Sequence, residues 1–374
     1  MAGTAKQTFD TLNGMRGIAA LAVAMMHIRW FLVGIHPAIV SLAVDFFFVL
    51  SGFVIAFAYA DELRGGYRRR DFLLARFIRL YPLFLLGLLL GALAKWTFEF
   101  PAEDPSLFWG NLAANLLMLP YPLAYPGDYD NLYPLNFPAW SLFYEMLAYA
   151  LFALVVRHLT GPRLAAIIAI GLAALVYTGF SEGTLDRGTW RPSVVGGMAR
   201  VTFSFFVGVA LHGFWQTRPT RIALHPVVML ALLALPLLWR PPEDAAGAWL
   251  YELAAIVLWM PLMVWLGTGS AAKGAWRTLC AALGAISYPL YIVHAPVYLI
   301  TGRYDNWQGS VFIDTHQPWA ALALIGLLCA VCWLLATYVD LPVRRALSRK
   351  WLPRRAAHPT EVERARDGDP LSAP

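Results

Sequence analysis

The stretch Ser41-Leu-Ala-Val-Asp45-Phe-Phe-Phe-Val-Leu50-Ser51-Gly-Phe-Val-Ile55-Ala-Phe-Ala-Tyr-Ala60 carries one charged side chain in twenty residues. In helical form, about 20 apolar residues cross the ~30 Å hydrocarbon core of a bilayer. A run of that length reads as a membrane helix, and similar blocks recur along the chain. Composition agrees: of 374 residues, 59% are hydrophobic and 14% charged, with a mean hydropathy of +0.57. Soluble domains carry about 25% charged residues, so this chain lacks the polar side chains to cover a water-facing surface. A soluble enzyme, a secreted disulfide scaffold, a nucleic-acid reader and a disordered chain are excluded. The expected fold class is all-α and polytopic.

Apolar runs read against their polar punctuation give about ten transmembrane helices, near 12–33, 41–60, 76–97, 138–157, 163–180, 197–214, 222–239, 249–267, 279–301 and 318–339. The formal net charge of +6 sits mainly in the short links, where it sets orientation rather than attracting nucleic acid. With the N-terminus in the cytoplasm, the links on that side hold Arg64, Arg68, Arg69, Arg70, Arg76 and Arg79, then Arg157 and Arg163, Arg218 and Arg221, and Lys273 and Arg277. Arg344, Arg345, Arg349, Lys350, Arg354 and Arg355 follow the last span, so both termini are expected to be cytoplasmic. Trp30, Trp96, Trp140, Trp239, Trp249 and Trp319 fall near outer span ends, as an aromatic belt does. The first run lacks a small-residue cleavage site and is expected to be kept as a helix.

Residues 98–137 form a long outer segment with an apolar piece, Leu107–Leu119, that suits a re-entrant or interfacial helix. Its aromatics (Tyr121, Tyr125, Tyr129, Tyr133, Phe137) argue for order. A membrane domain over 8–345 is expected to be followed by a tail, 346–374, that is cytoplasmic, basic and then disordered. Cys280, Cys329 and Cys332 lie inside apolar runs, and Cys329-x-x-Cys332 has no further ligands close by, so no metal site is expected.

Ionisable residues inside membrane spans are costly and mark candidate sites. Arg16 and His27 are eleven residues apart, three turns plus about 20°, so they share one face about 16 Å apart along the axis. Taken singly, Arg16 also reads as a snorkelling end anchor and His27 as a packing histidine. Asp45 and Ser51 lie on the second span, Glu145 on the fourth, and Ser287, Tyr291 and His294 line one face of the ninth. Counting rise from the span edges puts His27 and His294 each about 22 Å from the cytoplasmic side and Glu145 about 20 Å. A polar cavity at one level is expected, with Asp45, Ser51, Ser287 and Tyr291 in support. On the cytoplasmic side, Arg76 and Arg79, preceded by Arg69, open the third span. An i, i+3 arginine pair at a helix N-terminus suits phosphate.

These residues resemble the membrane-bound acyltransferase-3 family. The opening Leu12-Asn13-Gly14-Met15-Arg16-Gly17 followed by His27 carries the likeness, as does Asp45-Phe-Phe-Phe-Val-Leu-Ser51-Gly52 in the second span. Arg76-Phe-Ile-Arg79-Leu-Tyr-Pro82, Pro138-Ala-Trp-Ser-Leu142 with Glu145, and Ser287-Tyr-Pro-Leu-Tyr291-Ile-Val-His294 follow in order. The likeness runs from about residue 8 to 345. It implies an integral O-acyltransferase of the plasma (bacterial inner) membrane. Such an enzyme moves an acyl group, commonly acetyl, from cytoplasmic acyl-CoA to a hydroxyl of a glycan, glycolipid or small secreted product. Acyl-CoA is then a donor substrate, with no permanently bound cofactor; the bilayer and a carbohydrate or other hydroxylated acceptor are the partners, and nucleic acid is not.

Carried onto this chain, Arg16 and His27 match the family's essential pair, and Arg76 and Arg79 its CoA-side arginines; Arg69 is expected to join them in binding acyl-CoA. Glu145 is expected to orient His27 or bind the acceptor, His294 and Tyr291 to donate to the oxyanion, and the aromatics of 98–137 to stack on sugar. Phe143-Tyr144 replaces a smaller polar residue common before the Glu, and Asp340-Leu-Pro342 replaces the more usual Glu-x-Pro. The absence of a fused esterase-like domain argues against a two-step relay within the chain. The alternative class is a secondary transporter or flippase, in which inverted repeats are common. Spans 6–10 do not echo the charged motifs of spans 1–5.

Overall fold

Helices occupy the apolar runs, because every backbone polar group in hydrocarbon must be paired within its own segment. A computed structural model describes residues 9–27, 41–98, 105–123, 130–239, 241, 247–307, 315–316 and 318–353. The first half comprises α1 (Asp10–His27), α2 (Leu42–Arg64), α3 (Arg69–Phe98), α4 (Pro105–Leu116), α5 (Trp140–Val155) and α6 (Gly161–Glu182). The second comprises α7 (Val194–Thr217), α8 (Pro226–Leu238), α9 (Ala248–Ala254), α10 (Met260–Gly269), α11 (Gly274–Trp307), α12 (Trp319–Leu334) and α13 (Leu341–Trp351). Two π-helical segments, Ala255–Trp259 and Leu335–Asp340, join α9 to α10 and α12 to α13. Among the described residues no strand forms; one antiparallel bridge joins Asn131 to Trp190.

Among the described residues, eight helical stretches are long and apolar enough to cross a membrane. The polar-marked α1 and the shorter α8 occupy the first and seventh expected spans, so the protein is all-α and polytopic. The ends expected on one side are tied together. Asp10 pairs with Arg277 at 3.2 Å, Thr11 Oγ1 donates to the Ser270 carbonyl at 2.8 Å, and Arg157 Nε donates to Leu63 O at 2.9 Å. At the opposite ends, Thr184 donates to Glu252 and Arg191 to Asp130.

Two helix pairs form the centre. α1 runs beside α11, and a Cβ on Gly17 would stand 2.5 Å from Leu283 Cβ. α2 crosses α7 at Gly52 and Gly208, where added Cβ atoms would meet Phe205 O at 1.9 Å and Val49 O at 2.0 Å. Small residues are what allow such backbone approach in membrane helices. α3 also packs against α11.

Several expectations are corrected. The third helix begins at Arg69, not Arg76, because the polar Arg69-Arg70-Asp71 turn puts an acid at the positive end of the helix dipole. Arg76 and Arg79 therefore lie two to three turns inside α3, where backbone N–H groups are already paired. The fourth span starts inset rather than at the outer face. The chain before it folds inward, with Asn131, Leu132, Tyr133, Leu135 and Asn136 all buried. Tyr133 donates to Met118 O at 2.7 Å, and burial pushes its phenol above the ordinary value, which keeps it a donor.

Tyr121 is buried with Tyr133, so neither presents a face for sugar stacking; Tyr125 and Tyr129 lie outside the described residues. Trp140 is buried against the Arg200 guanidinium, 5.5 Å from its ring centre, rather than in the outer belt, whereas Trp239 and Trp319 are exposed. Trp30 and residues 28–33 of the first span lie outside the described residues. Helix α13 runs across the expected 345/346 boundary to Trp351, and residues 354–374 lie outside the described set.

Candidate active site

Seven residues separate Arg16 from Val23 and four more reach His27, a spacing that carries α1 past two separate cavities. The first, about 980 Å³ of space partly open to solvent, lies between α1, α2, α3, α5 and α11. Its charged lining is three guanidinium groups (Arg16, Arg76, Arg79) against one carboxylate, Glu145. The excess of cations suits it to anions. The second, about 970 Å³, is lined by His27, Lys95, Asn136 and Phe137, with Pro296 and Tyr298 of α11.

The first cavity is built by helical periodicity. On α5, Ser141, Glu145 and Tyr149 repeat every four residues and face one way. Ser51 Oγ donates to Glu145 Oε1 at 2.7 Å, and the Tyr149 hydroxyl donates to the same oxygen. Arg76 Nη2 donates to the Tyr149 hydroxyl at 3.4 Å, with its guanidinium 4.9 Å above that ring. Arg16 Nη2 donates to Ser287 Oγ at 3.1 Å. Arg79 lies over the Tyr288 ring at 5.2 Å and 3.7 Å from Asp340, which also takes Arg344 at 3.0 Å. Asp340 ends a π-helical segment, the kind of irregularity that concentrates at functional sites.

Between the cavities lies a thin polar layer. Ser141 and Tyr291 share a hydrogen bond of 2.7 Å, and both line the arginine cavity. One turn further along α11, His294 is fully buried. Its Nε2 is 3.0 Å from His27 Nδ1, and its Nδ1 is 2.9 Å from the Leu290 carbonyl. The Phe137 ring closes over His27 at 4.6 Å. α11 contains Pro296, whose missing N–H leaves the Ile292 carbonyl without its helical donor; Asn136 Nδ2 supplies one at 3.0 Å.

Of the residues singled out in the sequence, Arg16, Ser51, Arg76, Arg79, Glu145, Ser287 and Tyr291 share the first cavity, while His27 lines the second and meets His294. Glu145 does not reach the histidines. The inset start of α5 puts Phe137 at their level, and eight residues further along the helix is about 12 Å deeper. Asp45 is not in the cavity lining. Val44, Phe48, Ser51 and Ile55 face it, and one residue on from Val44 is a turn of about 100°. Asp45 instead accepts from Arg200 Nη2 at 2.7 Å and from Ser204 at 3.3 Å, a buried pair joining α2 to α7. Arg69 lies at the start of α3 and donates to Leu154 O at 3.2 Å, outside the lining.

Sequence reasoning missed Tyr149, Ser141 and Asn136, although the first two stand four residues either side of Glu145. It also missed Arg200, and Arg344 as a neighbour of Arg79. Among the described residues no group of three or more His, Cys, Asp or Glu side chains is placed to hold a metal ion.

Comparison with known proteins follows the same extent. The family described as an acyltransferase domain, acyltransferase-3, matches residues 9–337. A protein of Rhizobium radiobacter named protein 2 in picA locus is 35% identical over 188 residues, 47% of this chain and 97% of its own. The acyltransferase MdmB of Streptomyces mycarofaciens is 25% identical over 91% of this chain and 92% of its own. A putative peptidoglycan O-acetyltransferase of Bacillus subtilis, YrhL, is 24% identical over 91% of this chain and 56% of its own. No solved structure matches. The match covers the arginine cavity, both histidines and the layer between them, and sets the transporter alternative aside: this chain belongs to the acyltransferase-3 family of membrane acyltransferases.

Proposed function

We propose that the enzyme moves an acyl group, acetyl in the first instance, from cytoplasmic acyl-CoA to a hydroxyl of a glycan, glycolipid or small secreted product. The plasma (bacterial inner) membrane is the site of action. The observation that carries this reading is the pair of cavities back to back. One holds three guanidinium groups suited to phosphates, and the other holds the imidazole of His27. In this reading, the CoA phosphates rest on Arg76, Arg79 and Arg16, and the pantetheine arm brings the thioester to the Ser141–Tyr291 layer. The acceptor enters from the second cavity.

His27 Nε2 takes the hydroxyl proton as the acceptor oxygen attacks the thioester carbonyl carbon. The resulting oxyanion collapses, the carbon–sulfur bond breaks, and the proton passes to the departing CoA thiolate. An ester and free CoA result. Glu145 has a different part from the one expected of it. Held by Ser51 and Tyr149, it offsets part of the arginine charge and fixes the cavity wall. The name of the Bacillus relative supports a glycan acceptor.

Inverted membrane vesicles carrying wild type or His27→Ala, supplied with acetyl-CoA labelled on the acetyl group, test the proposal. Label in extractable glycan, glycolipid or small hydroxylated product, with matching CoA release, is expected in wild type alone. Equal labelling by the variant at equal protein level would overturn it.

A further inference from the structure

A backbone carbonyl can only accept a hydrogen bond, and from that the protonation of both histidines follows. The Leu290 carbonyl lies 2.9 Å from His294 Nδ1, so that nitrogen carries the proton. In the neutral ring, Nε2 is then an acceptor. It lies 3.0 Å from His27 Nδ1, which must donate. His27 therefore holds its proton on Nδ1; in the neutral ring that a general base requires, the lone pair is then on Nε2.

We infer that His294 is a positioning residue that fixes the tautomer and ring orientation of His27, with Leu290 O, His294 and His27 acting as one hydrogen-bonded chain. The inference rests on the reading of His27 as general base and adds what makes that base competent. Which ring nitrogen carries the proton is set by the partner of the other one. Here the partner of Nδ1 is the ring of His294. The setting is closely packed. His294 is fully buried and His27 half-buried. The two rings are inclined by 23° with centres 5.0 Å apart, Phe137 packs on His27 at 4.6 Å, and the Tyr298 ring flanks His294 at 5.8 Å. With Nε2 turned to His27, His294 is not directed at the thioester, so the oxyanion role expected for it falls to the hydroxyls of the Ser141–Tyr291 pair.

Gln at 294 keeps an acceptor oxygen near the position of Nε2, whereas Leu removes it. Steady-state turnover with acetyl-CoA is measured for wild type, His294→Leu, His294→Gln and His27→Ala in the vesicle assay. His294→Leu is expected to lower kcat on the order of 10²-fold, within the range for loss of general-base function. Its donor KM is unchanged, because the arginine cavity is untouched. His294→Gln is expected to recover at least tenfold of that loss. Full turnover by His294→Leu, or an equal loss in the Leu and Gln variants at wild-type donor KM, overturns the inference while leaving His27 as base. Full turnover by His27→Ala overturns the reading beneath it.

A second measurement needs no substitution at 294. Solid-state NMR of ¹⁵N-histidine-labelled protein in lipid, with the His27 signals identified by their loss in His27→Ala, is expected to show Nδ1 protonated and Nε2 bare. The opposite tautomer refutes the chain.

Discussion

Replacing Arg200 by Met tests the reassignment of Asp45 from cavity wall to buried strut. Asp45 and Arg200 are essentially inaccessible, and the carboxylate receives Arg200 Nη2 at 2.7 Å and Nε at 3.2 and 3.3 Å. Removing the cation leaves Asp45 with Ser204 at 3.3 Å as its remaining side-chain donor. Breaking one side of a buried pair costs about 3–5 kcal/mol. Arg200 also donates to Arg187 O at 2.9 Å and Ser41 O at 2.7 Å, each worth about 1 kcal/mol. The Ser41 carbonyl retains a bond from Val44 N, so the second loss is smaller. The double variant Asp45→Leu/Arg200→Met removes both charges at similar volume, and such replacements are often neutral. It is expected to regain all but about 1–2 kcal/mol, the share of the orphaned carbonyls. Denaturant unfolding of purified protein in lipid bicelles measures both differences. A single variant as stable as wild type, or a double variant no better than the single, refutes the reasoning. So does a double variant that is stable but has lost turnover, since Asp45 would then belong to the reaction.

The remaining expectations concern packing and the donor cavity. Gly52→Ala forces a Cβ to 1.9 Å from the Phe205 carbonyl and is expected to cost about 1–3 kcal/mol; Gly213→Ala, where nothing lies within 4 Å, is expected to match wild type in the same unfolding experiment. Asn136→Leu leaves the Ile292 carbonyl, already without its helical donor because of Pro296, unpaired in the core. A loss of about 1–3 kcal/mol is expected, and wild-type stability would mean another group takes over the bond. Arg79→Gln is expected to raise the acyl-CoA KM about tenfold, one charge-assisted bond of about 1.5 kcal/mol, with little change in kcat; a fall in kcat at constant KM would place Arg79 at the reacting carbonyl instead.

The helical membrane fold was legible because hydropathy in blocks of about 20 residues has one physical outcome in a bilayer. The cavity arginines were legible for a related reason. A guanidinium in a span must face protein or water, and Arg16, Arg76 and Arg79 do. What failed was depth. Rise counted from a span edge is sound only if the edge sits at the membrane surface, and the fourth span begins inside the bundle, at Phe137. Such counting sets Glu145 at the level of the histidines, whereas it lies with the arginines. Asp45 failed for lack of a partner, since nothing in its own span points to Arg200, 155 residues away. Helical phase was informative where it was used within one helix. Ser141, Glu145 and Tyr149 form a stripe that the sequence already contained.

The register of α1 against α11 explains why Arg16 belongs to the site rather than to the membrane surface. Gly14 faces Cys280 and Gly17 faces Leu283. A Cβ on Gly284 would stand 2.7 Å from Asn13 Cβ, and three residues further along each helix Arg16 Nη2 meets Ser287 Oγ. A snorkelling end anchor extends its charge towards the nearer membrane face; the Arg16 guanidinium is instead held within the protein, in a lining it shares with Arg76, Arg79 and Glu145. The eleven residues on to His27, about 16 Å along the axis, carry the helix from that lining to the second cavity. One helix thereby carries a cation of the arginine cavity and the imidazole beyond the Ser141–Tyr291 layer. A donor held by its phosphates and an acceptor entering from the other side would meet across that layer, and the glycines that fix the α1–α11 register fix the separation of the two poles as well.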